Sequence, residues 1–203
     1  MRRISIRQFT YLFAILGIVT LCSCTSSGIE QYDKLEKKEL AKGTRVDSLF
    51  LGISFGMTSK TFFGHCWELN KKGIISDGSN NTMVLYKIDS ALKFPATMNF
   101  YPDFIDNKVA HMRVNFQYNA WAPWNKAQWA DSLLPDVLQL YKKWYPGGNE
   151  FMAITDKAKR TIYVKVDGNR RITIGKFDDI IVKADFTDLL IEEKLLEEKK
   201  LKK

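Results

Sequence analysis

The stretch Val109-Ala110-His111-Met112-Arg113-Val114-Asn115-Phe116-Gln117-Tyr118 decides the fold class. Ala110, Met112, Val114, Phe116 and Tyr118 alternate with His111, Arg113, Asn115 and Gln117. Period-two alternation over ten residues predicts a strand with one buried and one wet face, the signature of an antiparallel sheet. Asp106-Asn107 directly before it supplies a hairpin turn, so the pairing strand lies upstream, over 96–101. A further strand is expected over 82–89, with Asp77-Gly78 marking the turn ahead of it.

Upstream of these strands the period changes. Gly56-Met57-Thr58 leads into a helix over 59–72, with Thr58 as N-cap and Gly73 as the left-handed residue past the end. Phe62, Phe63, Cys66, Trp67 and Leu69 fall at helical spacing and read as one apolar face. Downstream the same order repeats. Residues 124–145 read as helical, capped by Asn125 and broken or kinked at Pro135. Leu134, Val137, Leu138, Tyr141, Trp144 and Tyr145 form its apolar side, and Pro146-Gly147-Gly148 ends it. Strands are expected over 150–154, 161–166, 171–175 and 180–186, with Asp167-Gly168-Asn169 as a turn. The short connections forbid parallel crossovers. The expectation is an α+β domain over 48–190, built of two similar halves (about 48–120 and 121–190). Each half is a helix followed by antiparallel strands, and the helices pack on one face of the sheet. A body of about 140 residues buries roughly two-thirds of its unfolded surface and stands alone.

The N-terminus speaks of location. Arg2, Arg3 and Arg7 precede a 13-residue apolar run from Phe9 to Leu21, the length of a signal-peptide core. It is shorter than the about 20 apolar residues that span a bilayer. Leu21-Cys22-Ser23-Cys24 follows and resembles the lipobox of bacterial lipoproteins. The resemblance implies a diacylglycerol thioether on Cys24 and cleavage before it, so that 1–23 is a leader. Cys22 fits poorly, because Leu21 would then occupy the position that needs a small residue. Thr25 after the cysteine resembles the outer-membrane sorting pattern, and no acidic run directs the chain to the cell surface. The implied location is the cell envelope, lipid-anchored in the outer membrane and facing the periplasm, with an envelope protein as partner.

The full chain carries 31 basic and 23 acidic side chains, a net charge of +8, and losing Arg2, Arg3 and Arg7 leaves +5. A basic balance alone suggests nucleic acid, but export removes the domain from it. The 45% hydrophobic content excludes a disordered chain, and three cysteines exclude a disulfide scaffold. Residues 24–47 read as a lipidated charged tether. Ser27-x-x-Glu30 is a capping box for a short solvated helix, and a flexible chain of this length holds the body roughly 25 Å from the lipid. Residues 191–203 read as a charged helical tail.

The segment Leu51-Gly52-Ile53-Ser54-Phe55-Gly56-Met57-Thr58, then a helix and hairpins, resembles small envelope lipoproteins of the SmpA/OmlA type. It is also similar to the tandem helix-plus-sheet modules of β-lactamase-inhibitor proteins. These resemblances imply a non-enzymatic interaction module. The residues themselves give no catalytic constellation, no cofactor motif and no metal-ligand spacing. His65, Cys66 and His111 are too scattered for a metal, and Asp103, Asp106, Asp178 and Asp179 sit where turns favour aspartate. Cys66, the one cysteine left free after processing, reads as core with a thiol nucleophile as the alternative. Trp121, Trp124 and Trp129 lie at a strand-to-helix junction, either as a packed core or as a surface that stacks on a glycan or anchors a peptide. Oligomeric state is left open.

Overall fold

The computed structural model describes residues 28–78, 82–155 and 159–201. The leader, the lipobox and Cys24 lie outside the described residues. The elements run α1 (Gly28–Ala41), α2 (Ser59–Lys71), β1 (Ile75–Asp77), β2 (Val84–Ile88), β3 (Ala96–Ile105) and β4 (Lys108–Tyr118). They continue with α3 (Ala130–Trp144), β5 (Met152–Thr155), β6 (Thr161–Asp167), β7 (Arg170–Lys176), β8 (Val182–Asp188) and α4 (Leu189–Leu201). The strands form one antiparallel sheet in the order β1-β2-β3-β4-β8-β7-β6-β5. The fold is α+β. Each half is a helix followed by a four-stranded meander, and the two meanders join where β4 meets β8.

Alternation places the core. Met98, Phe100, Met112, Val114 and Phe116 share a face with Ile172, Ile174, Ala184 and Phe186, all buried. Helices α2 and α3 cover that face with Phe62, Leu133, Val137 and Tyr141. Phe50 closes the gap between the halves, its ring 4.9 Å from Phe100 and 5.6 Å from Phe186. The local signals at α2 act as read. Thr58 Oγ1 accepts the Thr61 N–H at 3.2 Å, and Gly73 takes φ +67° so that the Gly73 and Ile74 N–H groups close on Asn70 and Leu69.

Several expectations need correcting. Strand β1 was hidden in the sequence because three residues carry too little pattern. Helix α3 runs unbroken across Pro135. Proline lies near the N-terminal end, where its missing N–H deprives only one early carbonyl of a partner. Asn125 caps no helix with its side chain; Lys126–Gln128 is a separate 3₁₀ turn, and α3 starts from Trp129. Phe63 and Trp67 are not core: the Phe62–Cys66 row faces the sheet, and the neighbouring row about 100° round the helix faces solvent.

The largest correction concerns 28–47, which is not a spacer. Helix α1 lies on the opposite face of the sheet from α2 and α3. There Tyr32, Leu35 and Leu40 pack on Ile154, Ile162, Val164, Val166 and Leu189. Arg171 fixes it from β7, donating to the Tyr32 hydroxyl at 3.0 Å and to Glu192 of α4 at 2.7 Å. Glu39 is buried and accepts from the Gly168 N–H at 3.1 Å and from Lys42 at 2.5 Å. Burial alone would raise its pKa, but hydrogen bonds from Lys42, Asn149 and Gly168 outweigh it and hold the carboxyl below the usual range. The tail also begins earlier than expected. Leu189 is buried and Ile191 and Leu195 face the sheet, whereas Leu190, Leu196 and Leu201 are exposed.

Candidate functional site

The three tryptophans divide. Trp121 and Trp129 stack on each other, centroids 6.5 Å apart, and Trp129 Nε1 donates to the Ala122 carbonyl at 3.0 Å. Both are half-buried and lock the β4–α3 junction. Trp124 stands apart, 86% exposed. A stacking platform of three indoles is therefore not assembled.

Cys66 is buried on α2, and burial pushes its thiol up to about 11. The thiolate is scarce at neutral pH. His65 Nε2 is held by the Leu51 carbonyl at 2.6 Å, and His111 pairs with Asp103 at 2.8 Å across the sheet. Neither serves the thiol as a base. Among the described residues no group of three metal-ligating side chains converges, and no helix is long and apolar enough to cross a membrane. Asp178 caps the Ile180 and Ile181 N–H groups at 2.8 and 2.7 Å, the turn role its position suggested.

Among the described residues, two surfaces are left uncovered by the helices. The first is an aromatic stripe on α2, where Phe63 is 50% and Trp67 62% exposed at i and i+4. Lys71 Nζ sits 5.4 Å over the Trp67 ring. Beside the stripe runs a groove of about 280 Å³, lined by Cys66, Asn70, Ile75, Met83 and Tyr101. Large exposed aromatics next to a concave rim are the usual anchor of a protein interface. The sequence carried these residues but gave them to the core, since two adjacent helical rows were read as one.

The second surface is the polar face of β3, β4 and β8. A groove of about 670 Å³ is lined by Tyr101, His111, Arg113, Asn115, Lys183 and Asp185. Asp103 bridges His111 and Arg113, each at 2.8 Å. The β4–β8 ladder opens between the Met112–Phe186 and Asn115–Lys183 pairs, and Asp185 fills the opening by accepting the Val114 N–H at 3.1 Å. Burial raises the Asp185 pKa against the pull of the Val114 bond and the nearby cations. The folded chain thus holds this proton more tightly than the unfolded chain. The resulting stability is complete below the ordinary carboxylate range and is lost as pH rises through the folded value. Asp185→Asn keeps the acceptor for Val114. It is expected to raise the denaturation midpoint at neutral pH, with the gain vanishing in acid. A variant less stable than wild type at pH 7 by urea titration would contradict this.

No protein-family model matches the chain, and no curated protein and no solved structure matches it.

Proposed function

We propose that the chain is an envelope lipoprotein, held by lipid on Cys24 at the periplasmic face of the outer membrane. There it acts without catalysis as a docking module for another envelope protein. The anchor half of this reading rests on Arg2, Arg3 and Arg7, the apolar run and Leu21-Cys22-Ser23-Cys24, in that order. The docking half is carried by the Phe63–Trp67 stripe, which leaves two aromatic rings in water beside a groove. The repeat of a helix followed by four strands is compatible with kinship to the tandem modules of inhibitor proteins and SmpA/OmlA-type lipoproteins. A glycan reading is less favoured, because packing Trp121 against Trp129 leaves Trp124 as the one well-exposed indole of the 121–129 segment.

A photo-crosslinking side chain at position 67, in cells, is expected to give a discrete adduct with one envelope protein. The same group at exposed Lys142 should give none. Equal, diffuse labelling from both positions would remove the docking reading.

A further inference from the structure

Strand register gathers the β2–β3, β4–α3 and β7–β8 connections at one end of the sheet. Thr155 pairs with Thr161, Ile162 with Gly175, Lys176 with Val182, Val182 with Phe116, and Tyr118 with Ala96. The β7–β8 and β4–α3 connections therefore emerge together, at the end of the sheet where Thr155 closes β5 and Thr161 opens β6. The Ala130 N–H to Asp179 carbonyl bond at 2.9 Å ties two of them directly. Helix α1 begins at this same end. A Cβ on Gly28 would lie 3.4 Å from the Ala153 carbonyl oxygen and 3.5 Å from Ile154 Cγ2. From there α1 runs to Gly168 at the far end. Cys24 is four residues upstream of Gly28, so an extended chain carries it no more than about 14 Å away.

This end is unlike an ordinary solvated rim. Trp124 is 86% and Phe177 53% exposed, and Ile29 in the first turn of α1, which begins at this end, is exposed as well. Cations accompany the rings. Lys183 Nζ lies 3.8 Å from the Phe177 centroid, Lys126 Nζ 5.7 Å from that of Trp129, and Lys159 is exposed. Among the described residues, the acids of the β7–β8 connection and the start of α3 are engaged: Asp131 and Asp179 both bond Lys176, at 2.7 and 3.0 Å, and Asp178 accepts backbone N–H groups. Indoles, phenyl rings and lysines with apolar stems are the side chains that settle at a bilayer interface. From β5 to β4 is four strand spacings, about 19 Å, so a flat surface beside the anchor reaches both the β7–β8 and the β4–α3 connections.

We infer that this end of the domain rests on the anionic headgroup layer of the membrane. Trp124 and Phe177 dip to the acyl boundary, and Lys126, Lys159 and Lys183 lie among the headgroups. The inference rests on the lipid anchor proposed above and adds an orientation to it. The body does not swing on a leash. It stands on one end, and the Phe63–Trp67 stripe sits by the opposite edge strand, seven spacings or roughly 33 Å across from β5.

The test uses the full lipoprotein, purified from membranes and placed in phosphatidylethanolamine/phosphatidylglycerol vesicles. Some vesicles carry lipids brominated high on the acyl chain. Subtracting the emission of Trp124→Phe isolates Trp124. Its emission is expected to shift to the blue, to be quenched by the brominated lipid, and to resist aqueous iodide. Phe177→Ser should weaken the quenching while leaving the circular dichroism unchanged. Suppose Cys24 is acylated by intact mass, yet Trp124 is untouched by brominated lipid and open to iodide. That result overturns the docking and leaves the anchor standing. A chain with an unmodified Cys24 overturns both.

Discussion

Phe186→Ala is expected to lower the unfolding free energy by about 3–5 kcal/mol, the cost of removing a fully buried phenyl ring and leaving its cavity. Phe186 has no exposed surface and sits on β8 between Met112 of the first half and Ile172 of the second. Its ring lies 5.6 Å from Phe50, 5.7 Å from Tyr141 and 5.6 Å from Tyr145. The three neighbours come from a loop, from α3 and from its C-cap Tyr145, so none can close the space without moving backbone. Total stability of a domain is about 5–15 kcal/mol, and the loss takes a large share of it. Both halves should melt together at a lower midpoint in a urea titration followed by circular dichroism. A loss below about 1 kcal/mol, within the range of ordinary surface changes, would contradict a core shared by the two halves. So would two separate transitions.

Gly168→Ala should cost at least about 2 kcal/mol, more than its small size suggests. Gly168 takes φ +57° in the β6–β7 turn, where an L side chain is strained. A Cβ there would also meet the Thr44 carbonyl oxygen at 2.3 Å and Val46 Cγ2 at 3.2 Å. Backbone is what it strikes, so a rotamer change cannot relieve it. The turn holds the end of α1 and the chain that follows. Gly168 N–H binds Glu39, Asn169 Oδ1 accepts the Val46 N–H at 2.6 Å, and Arg45 reaches Asp188 at 2.9 Å. Gly43→Ala is the matched control. Its φ is +62° and nothing lies within 4 Å of an added Cβ, so only the backbone strain of about 1 kcal/mol applies. Trypsin should also cut faster after Lys42 and Arg45 in Gly168→Ala than in Gly43→Ala. Equal stability losses and equal cleavage in the two variants would mean that 44–47 does not pack on the turn.

The pattern of each half was legible where a side chain repeats its environment over a long run. The alternation in β4 and the caps of α2 are local and strong, and both act as the sequence says. What was not legible depends on what lies opposite. Tyr32, Leu35 and Leu40 make too narrow a stripe to announce burial. Their partner surface, Ile162, Val164 and Val166, lies about 130 residues away, beside the polar-looking Arg171. Glu39 reads as a surface acid until the Gly168 N–H is placed beside it. The α2 aromatics failed the opposite way. Phe62 and Phe63 are alike in sequence, and only the edge position of α2 decides that one is sealed and the other wet. In the tryptophan cluster, chemistry was readable but partnership was not: Trp121 chooses Trp129, and Trp124 is left outside.

Intact-mass and N-terminal peptide analysis of the native protein, extracted from cells, bears most directly on the whole account. It should find a chain beginning at Cys24 and carrying a diacylglycerol thioether there. Cys22→Ser should leave that modification untouched and Cys24→Ser should abolish it. A mature chain with a free Cys24 thiol, or one still bearing residues 1–23 without lipid, would contradict it.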